Sequence, residues 1–304
     1  MSGGQSVAII GGGLMGAGIA QVFAAAGHRV TLFEPNADVR ASIKGRVAEN
    51  LKSVGKDVAA VDLIETTESL SAAVRSADYV TEAAPEKLEL KQAIFADLLA
   101  LSPRNAIIAS NTSVIPIGRI VAGLPTAERV VGTHWWNPAY LVPLVEVVQA
   151  ERTTDDAVAA TMELLASVGK APAHIRKDVP GFVANRLQHA LWREAIAMVA
   201  DGICDAATLD ACVKNSFGLR LPVLGPLENA DLVGLDLTLD IHRTIIPELD
   251  RHAQPHALLA EKVASGKLGF KSGEGFRSWT AEEISQLRAR LSEHLSTWQQ
   301  GKAA

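Results

Sequence analysis

At 304 residues, with 48% hydrophobic and 21% charged, the chain is long enough for about two domains and too apolar to be disordered. A net charge of -5 and a pI near 5.9 leave no basic footprint for nucleic acid or an anionic membrane, so small molecules are the expected partners. Cys204 and Cys212 stand without metal-ligand company, which fits a reducing cytoplasm, excludes a disulfide framework and offers no metal site.

Val7 to Gly27 is almost unbroken apolar sequence, long enough to span a bilayer, but its glycine density and the lack of a basic segment before it indicate a buried strand, loop and helix. Val7 to Ile10 is the strand, and the helix runs through Ala26 until Gly27 stops it. Between them G-x-G-x-x-G falls on Gly11, Gly13 and Gly16, with Gly12, Leu14 and Met15 completing the turn. Glycines at these positions permit a tight turn, close approach to a pyrophosphate and tight packing of helix on strand. The next strand, Arg29 to Phe33, ends on Glu34, placed to recognise a ribose diol and to repel a 2'-phosphate. The expected cofactor is therefore NAD, and Pro35 and Asn36 bring no arginine to reverse that choice.

Asn36 to Ser71 reads as a helix followed by a helical or irregular stretch, with Lys44, Lys52 and Lys56 on a solvated face. Ala77 to Ala84 is a strand that hands over to Pro85 and Glu86, and a helix carrying Lys91 and Phe95 follows. Asn105 to Ser110 is the next strand, ending in Asn111, Thr112 and Ser113. Such alternation predicts a parallel, doubly wound α/β sheet with ligands at the strand carboxyl ends. Arg129 to Thr133 delivers His134 to another such end, and Leu144 to Val148 is a buried strand containing Glu146. If the chain doubles back about Tyr140, His134 faces Glu146. A carboxylate beside an imidazole fixes which ring nitrogen carries the proton and suits a general base; the plainer reading is an ion pair at a strand end.

Asp178 to Gly181 looks like a linker, dividing an NAD-binding domain (1–178) from an all-α domain (179–304). Phe182 to Asp201 reads as a long helix. Asp205 caps the next, Pro226 opens a third that runs to about Ile246, and Thr280 with Glu283 forms a capping box for the last. The apolar faces of these helices exceed what a thin bundle buries, which points to a homodimer through this domain.

Five ordered motifs carry a family resemblance: Gly11 to Gln21, Ala109 to Ser113, His134 to Pro138, Pro143 to Val148, and Pro180 to Arg186. Together they closely resemble the L-3-hydroxyacyl-CoA dehydrogenase family, which implies NAD-dependent oxidation of a 3-hydroxyacyl substrate to its 3-oxo product, a free hydroxy acid being the alternative. The resemblance implies that His134 is the general base, that Glu146 orients it, and that Ser113 and Asn185 hydrogen-bond the reacting oxygen or its neighbouring carbonyl, Asn185 reaching the cleft from the second domain. It also implies cofactor contacts at Glu86, Lys91, Asn111, Ser113, Asn137 and Lys271. Each has a plainer role as a turn residue or a surface charge.

Three departures bear on the substrate. Asn36 to Ser71 is shorter than the family's lysine-bearing insert, Trp135 and Trp136 replace a phenylalanine pair, and Gly218 to Pro226 is a lengthened turn. Relatives in the family act on carnitine, gulonate or a pyridine carboxylate, and these changes look more like that branch. Trp135, Trp136 and Tyr140 are then candidates to wall an aromatic or quaternary-ammonium substrate, with Arg220 to pair a carboxylate. The alternatives from other classes are a non-catalytic, crystallin-like NAD-binding protein and a sister family with a catalytic lysine. The intact His134, Glu146, Ser113 and Asn185 set argues against the first. Asn185, standing where that lysine would fall, argues against the second.

Overall fold

The computed structural model describes residues 4–302. Packing divides the chain into two units: one of residues through Asn185 together with those from Ser292 onward, the other Arg186–Leu291. The second unit is thus narrower at both ends than the 179–304 domain expected from the linker motif.

In the first unit the strands are β1 (Ser6–Ile10), β2 (Arg29–Phe33), β3 (Ile64–Thr67), β4 (Tyr79–Glu82), β5 (Ile107–Ser110), β6 (Val130–Trp135), β7 (Leu144–Val148) and β8 (Ala171–Ile175). Its helices are α1 (Leu14–Ala25), α2 (Ala37–Ser53), α3 (Leu70–Val74), α4 (Leu88–Leu101), α5 (Ile117–Ile120) and α6 (Asp155–Ser167). The strands form one sheet in the order β3-β2-β1-β4-β5-β6-β7-β8. All neighbours run parallel except β6 and β7, which are antiparallel.

Side chains alternate across the sheet and build two cores. Val7, Ile9, Leu32, Tyr79, Trp135 and Val147 pack under α1, α2 and α6. On the other face, Ala8, Ile10, Val80, Ile108 and Val148 pack under α3, α4 and α5. The doubly wound α/β expectation holds, with one antiparallel step after β6. Elements not anticipated include the short α5 and three others. β3 has only four residues of mixed polarity, α6 lies in a stretch without strong motifs, and β8 contains Pro172 and His174. β8 ends the sheet order, and an edge strand tolerates a proline that an interior one would not.

Lys170, just before β8, is buried, and its Nζ donates to the carbonyls of Ala139 and Val142 in the loop between β6 and β7. The ammonium lies 5.4 Å from the centre of the Trp135 ring, and no described carboxylate pairs with it. Burial pulls its pKa down to about 8. Because the folded value lies below the ordinary 10.5, the unfolded chain holds the extra proton between those values, and stability rises with pH across that window. Measured against Lys170→Met by chemical denaturation at pH 8 and pH 10, the wild type is expected to gain about 2 kcal/mol. An unchanged difference would remove the burial argument.

The second unit is helical. It comprises α7 (Ala184–Ala200) from Arg186 onward, α8 (Ala206–Lys214), α9 (Pro226–Val233), α10 (Leu235–Ile245), α11 (Ala257–Ala264) and the start of α12 (Ala281–Lys302). Asp205 caps α8 by accepting from Thr208 N–H at 2.7 Å, and Thr280 and Glu283 form the reciprocal box at α12. The single helix expected from Pro226 to Ile246 is instead two, because Gly234 takes φ 101° and interrupts the ladder. Among the described residues, no helix is long and apolar enough to cross a membrane.

Candidate active site

The antiparallel pairing of β6 and β7 sets His134 directly opposite Glu146. Their side chains meet at 2.8 Å, Nδ1 to Oε2, and both residues are buried. His134 lies within β6, not just beyond it, so its imidazole is carried by strand backbone on both sides. The second carboxylate oxygen, Oε1, accepts from the N–H groups of Val183 and Ala184 at 2.9 and 3.0 Å, where α7 begins. Burial pushes the Glu146 carboxyl up, but the hydrogen bonds from His134, Ala184 and Val183 outweigh it and hold the group below the usual carboxylate range. Glu146 therefore remains a carboxylate at neutral pH and favours the tautomer with the proton on Nδ1. No described residue hydrogen-bonds Nε2, leaving it available to take a proton.

Alternation along β6 separates the two tryptophans. Trp135 is 2% exposed, on the sheet face opposite His134, with its ring 6.0 Å from Phe23. The expectation that it walls a substrate is corrected: it belongs to the core under α1. Tyr140 stands on that side too, its hydroxyl donating to Asn50 at 3.3 Å and its ring close to Gly18 of α1. Trp136 follows the end of β6 and is half-buried, its ring centre 5.2 Å from the His134 ring. Phe182 approaches the same imidazole at 5.8 Å.

The glycine turn fits a dinucleotide. A Cβ on Gly16 would fall 1.8 Å from the Gly11 carbonyl oxygen, and one on Gly11, at φ 106°, would fall 2.8 Å from that of Ala83, so these positions must be glycine. Gly13, by contrast, faces open space at the N-terminus of α1, which lacks a side-chain cap. Backbone N–H groups there are free for phosphate. Leu14 is exposed and Met15 half-buried beside that space. Glu34, at the end of β2, accepts from Gly12 N–H at 2.8 Å and Asn36 N–H at 2.9 Å, which fixes its carboxylate beside the turn. Two arginines missed in the sequence stand nearby. Arg46 donates to the Gly12 carbonyl, and Arg40 to those of Glu34 and Pro35 while pairing with Glu68. Both come from α2, and nothing in their local sequence marks them.

A buried charge network joins β4, α4 and β5. Lys91 Nζ reaches the two Glu82 carboxylate oxygens at 2.8 and 3.0 Å and the Ala84 carbonyl at 3.3 Å. Glu82 also accepts from Ser110 Oγ at 2.6 Å. Lys91 is 0% exposed, so in this geometry it meets a cofactor only through the groups it holds, not by the direct contact expected. One such group is Glu86, whose Oε2 lies 3.4 Å from Nζ. Glu86 Oε1 in turn gathers Thr112 Oγ1 and the N–H groups of Ser113 and Val114. Burial raises the Glu86 carboxyl, but these bonds and the Lys91 charge leave it below its ordinary value.

Asn185 is placed in the first unit, not the second, and its Nδ2 donates to the Ser113 carbonyl at 3.0 Å. Asn111 Oδ1 accepts from Trp135 N–H at 2.9 Å, tying the end of β5 to β6. Asn137 is exposed after Trp136. Lys271 and Arg220 are exposed in the second unit, in the turn near Gly269 and after a short helical turn at Phe217–Leu219. Among the described residues, no group of three potential ligands gathers to hold a metal.

Comparison with known proteins agrees with this geometry. The family model for the 3-hydroxyacyl-CoA dehydrogenase NAD binding domain matches residues 6–179, and that for the C-terminal domain matches residues 181–279. The chain is 35% identical to 5-formyl-3-hydroxy-2-methylpyridine 4-carboxylate 5-dehydrogenase of Mesorhizobium japonicum, over 96% of both chains. It is 39% identical to L-carnitine dehydrogenase of Streptomyces griseus, over 86% of this chain and 84% of that one. A crystal structure of the pyridine carboxylate dehydrogenase, described as an NAD+-dependent dismutase, superposes with TM-score 0.90 at 33% identity and 97% coverage of both chains. The (S)-3-hydroxybutyryl-CoA dehydrogenase of Ralstonia eutropha gives 0.76 at 32% identity, covering 91% of this chain and 99% of that one. With both domain models matched in order around a glycine turn shaped for dinucleotide, the chain belongs to the 3-hydroxyacyl-CoA dehydrogenase family and is an NAD-dependent oxidoreductase.

Proposed function

We propose that the chain oxidises the hydroxyl of a free hydroxy acid with a compact or flat body, with His134 as the general base. The observation that carries this reading is the buried His134–Glu146 pair with the Trp136 ring laid against the imidazole. The alcohol proton passes to His134 Nε2 as the C–O bond gains double-bond character, and Glu146 stabilises the imidazolium that results. NAD, when bound, supplies the acceptor for the hydride leaving the same carbon. Gly11, Gly12, Gly13, Leu14, Met15 and Gly16 cradle its phosphates, and Glu34 takes its ribose. Glu86, Asn111 and Asn137 serve the nicotinamide side, with Lys91 holding Glu86 in place. Ser113 and Asn185, joined through the Ser113 carbonyl, supply donors to the developing oxyanion.

Two observations favour a free acid over a thioester. Residues 36–71 contain α2, a short helical turn at Val58–Leu63, β3 and the start of α3, with Lys44, Lys52 and Lys56 all exposed and no long insert to grip coenzyme A. The pyridine carboxylate enzyme also superposes with a higher TM-score, 0.90, than two acyl-CoA dehydrogenases of the family, at 0.76 and 0.71. Trp136 offers a flat wall. The test is NADH formation with aromatic hydroxy acids, carnitine and free 3-hydroxybutyrate beside 3-hydroxybutyryl-CoA. Faster turnover of a free acid is expected. A thioester rate on the order of 10 per second with slower acids would restore the acyl-CoA reading. No NAD reduction with any of them would favour a non-catalytic protein.

The second unit leaves Leu227, Leu232, Leu235 and Leu239 of α9 and α10 exposed, and contiguous apolar surface of this kind suits a second copy of the chain. A homodimer through these helices is the reading, and a monomeric mass in light scattering would overturn it. Free Cys204 and Cys212 suit a reducing compartment such as the cytoplasm.

A further inference from the structure

Phe182 has φ 50°, in the left-handed region that bulky side chains rarely occupy, and it follows Gly181 at φ 73°. Two successive left-handed residues turn the chain sharply just before α7. The turn is pinned by Phe182 N–H donating to Val179 at 3.1 Å. The next two N–H groups, of Val183 and Ala184, are those that converge on Glu146 Oε1. Glycine or asparagine would adopt this conformation at lower cost, so the backbone alone does not call for a phenylalanine. The ring is 1% exposed and lies 5.8 Å from the His134 ring, inclined at 51°.

We propose that Phe182 is a positioning residue for the His134–Glu146 pair: its turn aims two backbone N–H groups at one carboxylate oxygen, and its ring packs against the imidazole. With Oε1 committed to the backbone, only Oε2 is left for Nδ1–H, and the carboxylate cannot rotate away. The ring closes the space into which the imidazole would otherwise swing. The pair thereby holds one tautomer and one orientation before any ligand arrives. This rests on the reading of His134 as the base, and the experiment separates the two.

The 15N signals of the His134 ring, assigned by their loss in His134→Gln, read the tautomer at pH 8 without substrate. The wild type is expected to show the Nδ1–H form alone and Phe182→Ala a mixture of both. With the best acid from the substrate panel, Phe182→Ala is expected to lose at least tenfold in kcat while KM for NAD stays within twofold. Phe95→Leu, which alters another buried ring of the same core in α4, should lower Tm and leave kcat and tautomer unchanged. If Phe182→Ala fails to fold, Phe182→Leu is compared with Phe95→Leu at equal folded fraction, and a larger kcat loss is expected in the former. A pure Nδ1–H tautomer with kcat within twofold of wild type in the Phe182 variant would overturn the proposal. Full turnover in His134→Gln would instead overturn the base assignment beneath it.

Discussion

His134→Gln is expected to lower kcat by about 10²–10⁴, or about 3–5 kcal/mol of transition-state stabilisation, with NAD affinity nearly unchanged. Glutamine keeps a donor for Glu146 and much of the imidazole volume, so the sheet has no reason to rearrange. What disappears is a nitrogen able to accept the alcohol proton near neutral pH. NAD binding should survive because the glycine turn follows β1 and Glu34 follows β2, whereas His134 rides on β6, with β4 and β5 between. Steady-state kinetics with a fluorescence titration of NAD distinguishes the two effects. Near-normal turnover would remove His134 from the role of base.

The second large effect concerns stability. Lys91→Met leaves Glu82 with a full charge at 0% exposure, supported only by Ser110 Oγ and the Ala84 N–H. Removing one partner of a buried pair typically costs 3–5 kcal/mol, because the remaining charge has neither water nor counter-ion. The loss should appear as a fall in the urea midpoint of the first unit. Glu82→Gln in the same chain should recover much of it, since the uncompensated charge is then gone. A single variant as stable as wild type would show that Glu82 sheds its charge or reaches water. Lys91 also touches Glu86, which collects Thr112, Ser113 and Val114, so the single variant should raise KM for NAD as well.

The parts of the fold legible in the sequence are those whose cause is local. The β1 strand, the glycine turn and α1 follow from a steric requirement confined to a few residues, and Glu34 from its distance to them. β7 spans the residues expected because Leu144, Val145, Val147 and Val148 form an apolar, mostly β-branched run broken only by Glu146. The His134–Glu146 contact was accessible through the turn-prone Asn137 and Pro138, which make the two strands antiparallel neighbours. Trp135 and Trp136 were not distinguishable in this way. Which of two adjacent residues faces the core depends on the register of the strand in the sheet, and register is a tertiary property. Arg46 reaches the glycine turn, and Arg40 the end of β2 beside it, only because α2 packs there. The sequence marks the turn at Pro180 and Gly181, where the two family models also divide, while packing groups Asn185 with the first unit because the first helical turn after it is held by Ser113 and Glu146.

The placement of the base within a sheet also bears on how such a chain could change its substrate over evolutionary time. His134 and Glu146 are opposite residues of paired strands, and their geometry is inherited from the backbone ladder. The 136–143 connection contributes nothing to that ladder and runs through irregular backbone where insertions and exchanges are tolerated. Selection can therefore exchange residues of that connection, Trp136 among them, while the spacing of His134 and Glu146 is kept by the ladder. Relatives named for a pyridine carboxylate, for carnitine and for hydroxyacyl-CoA share one family, a breadth that a frame of this kind permits.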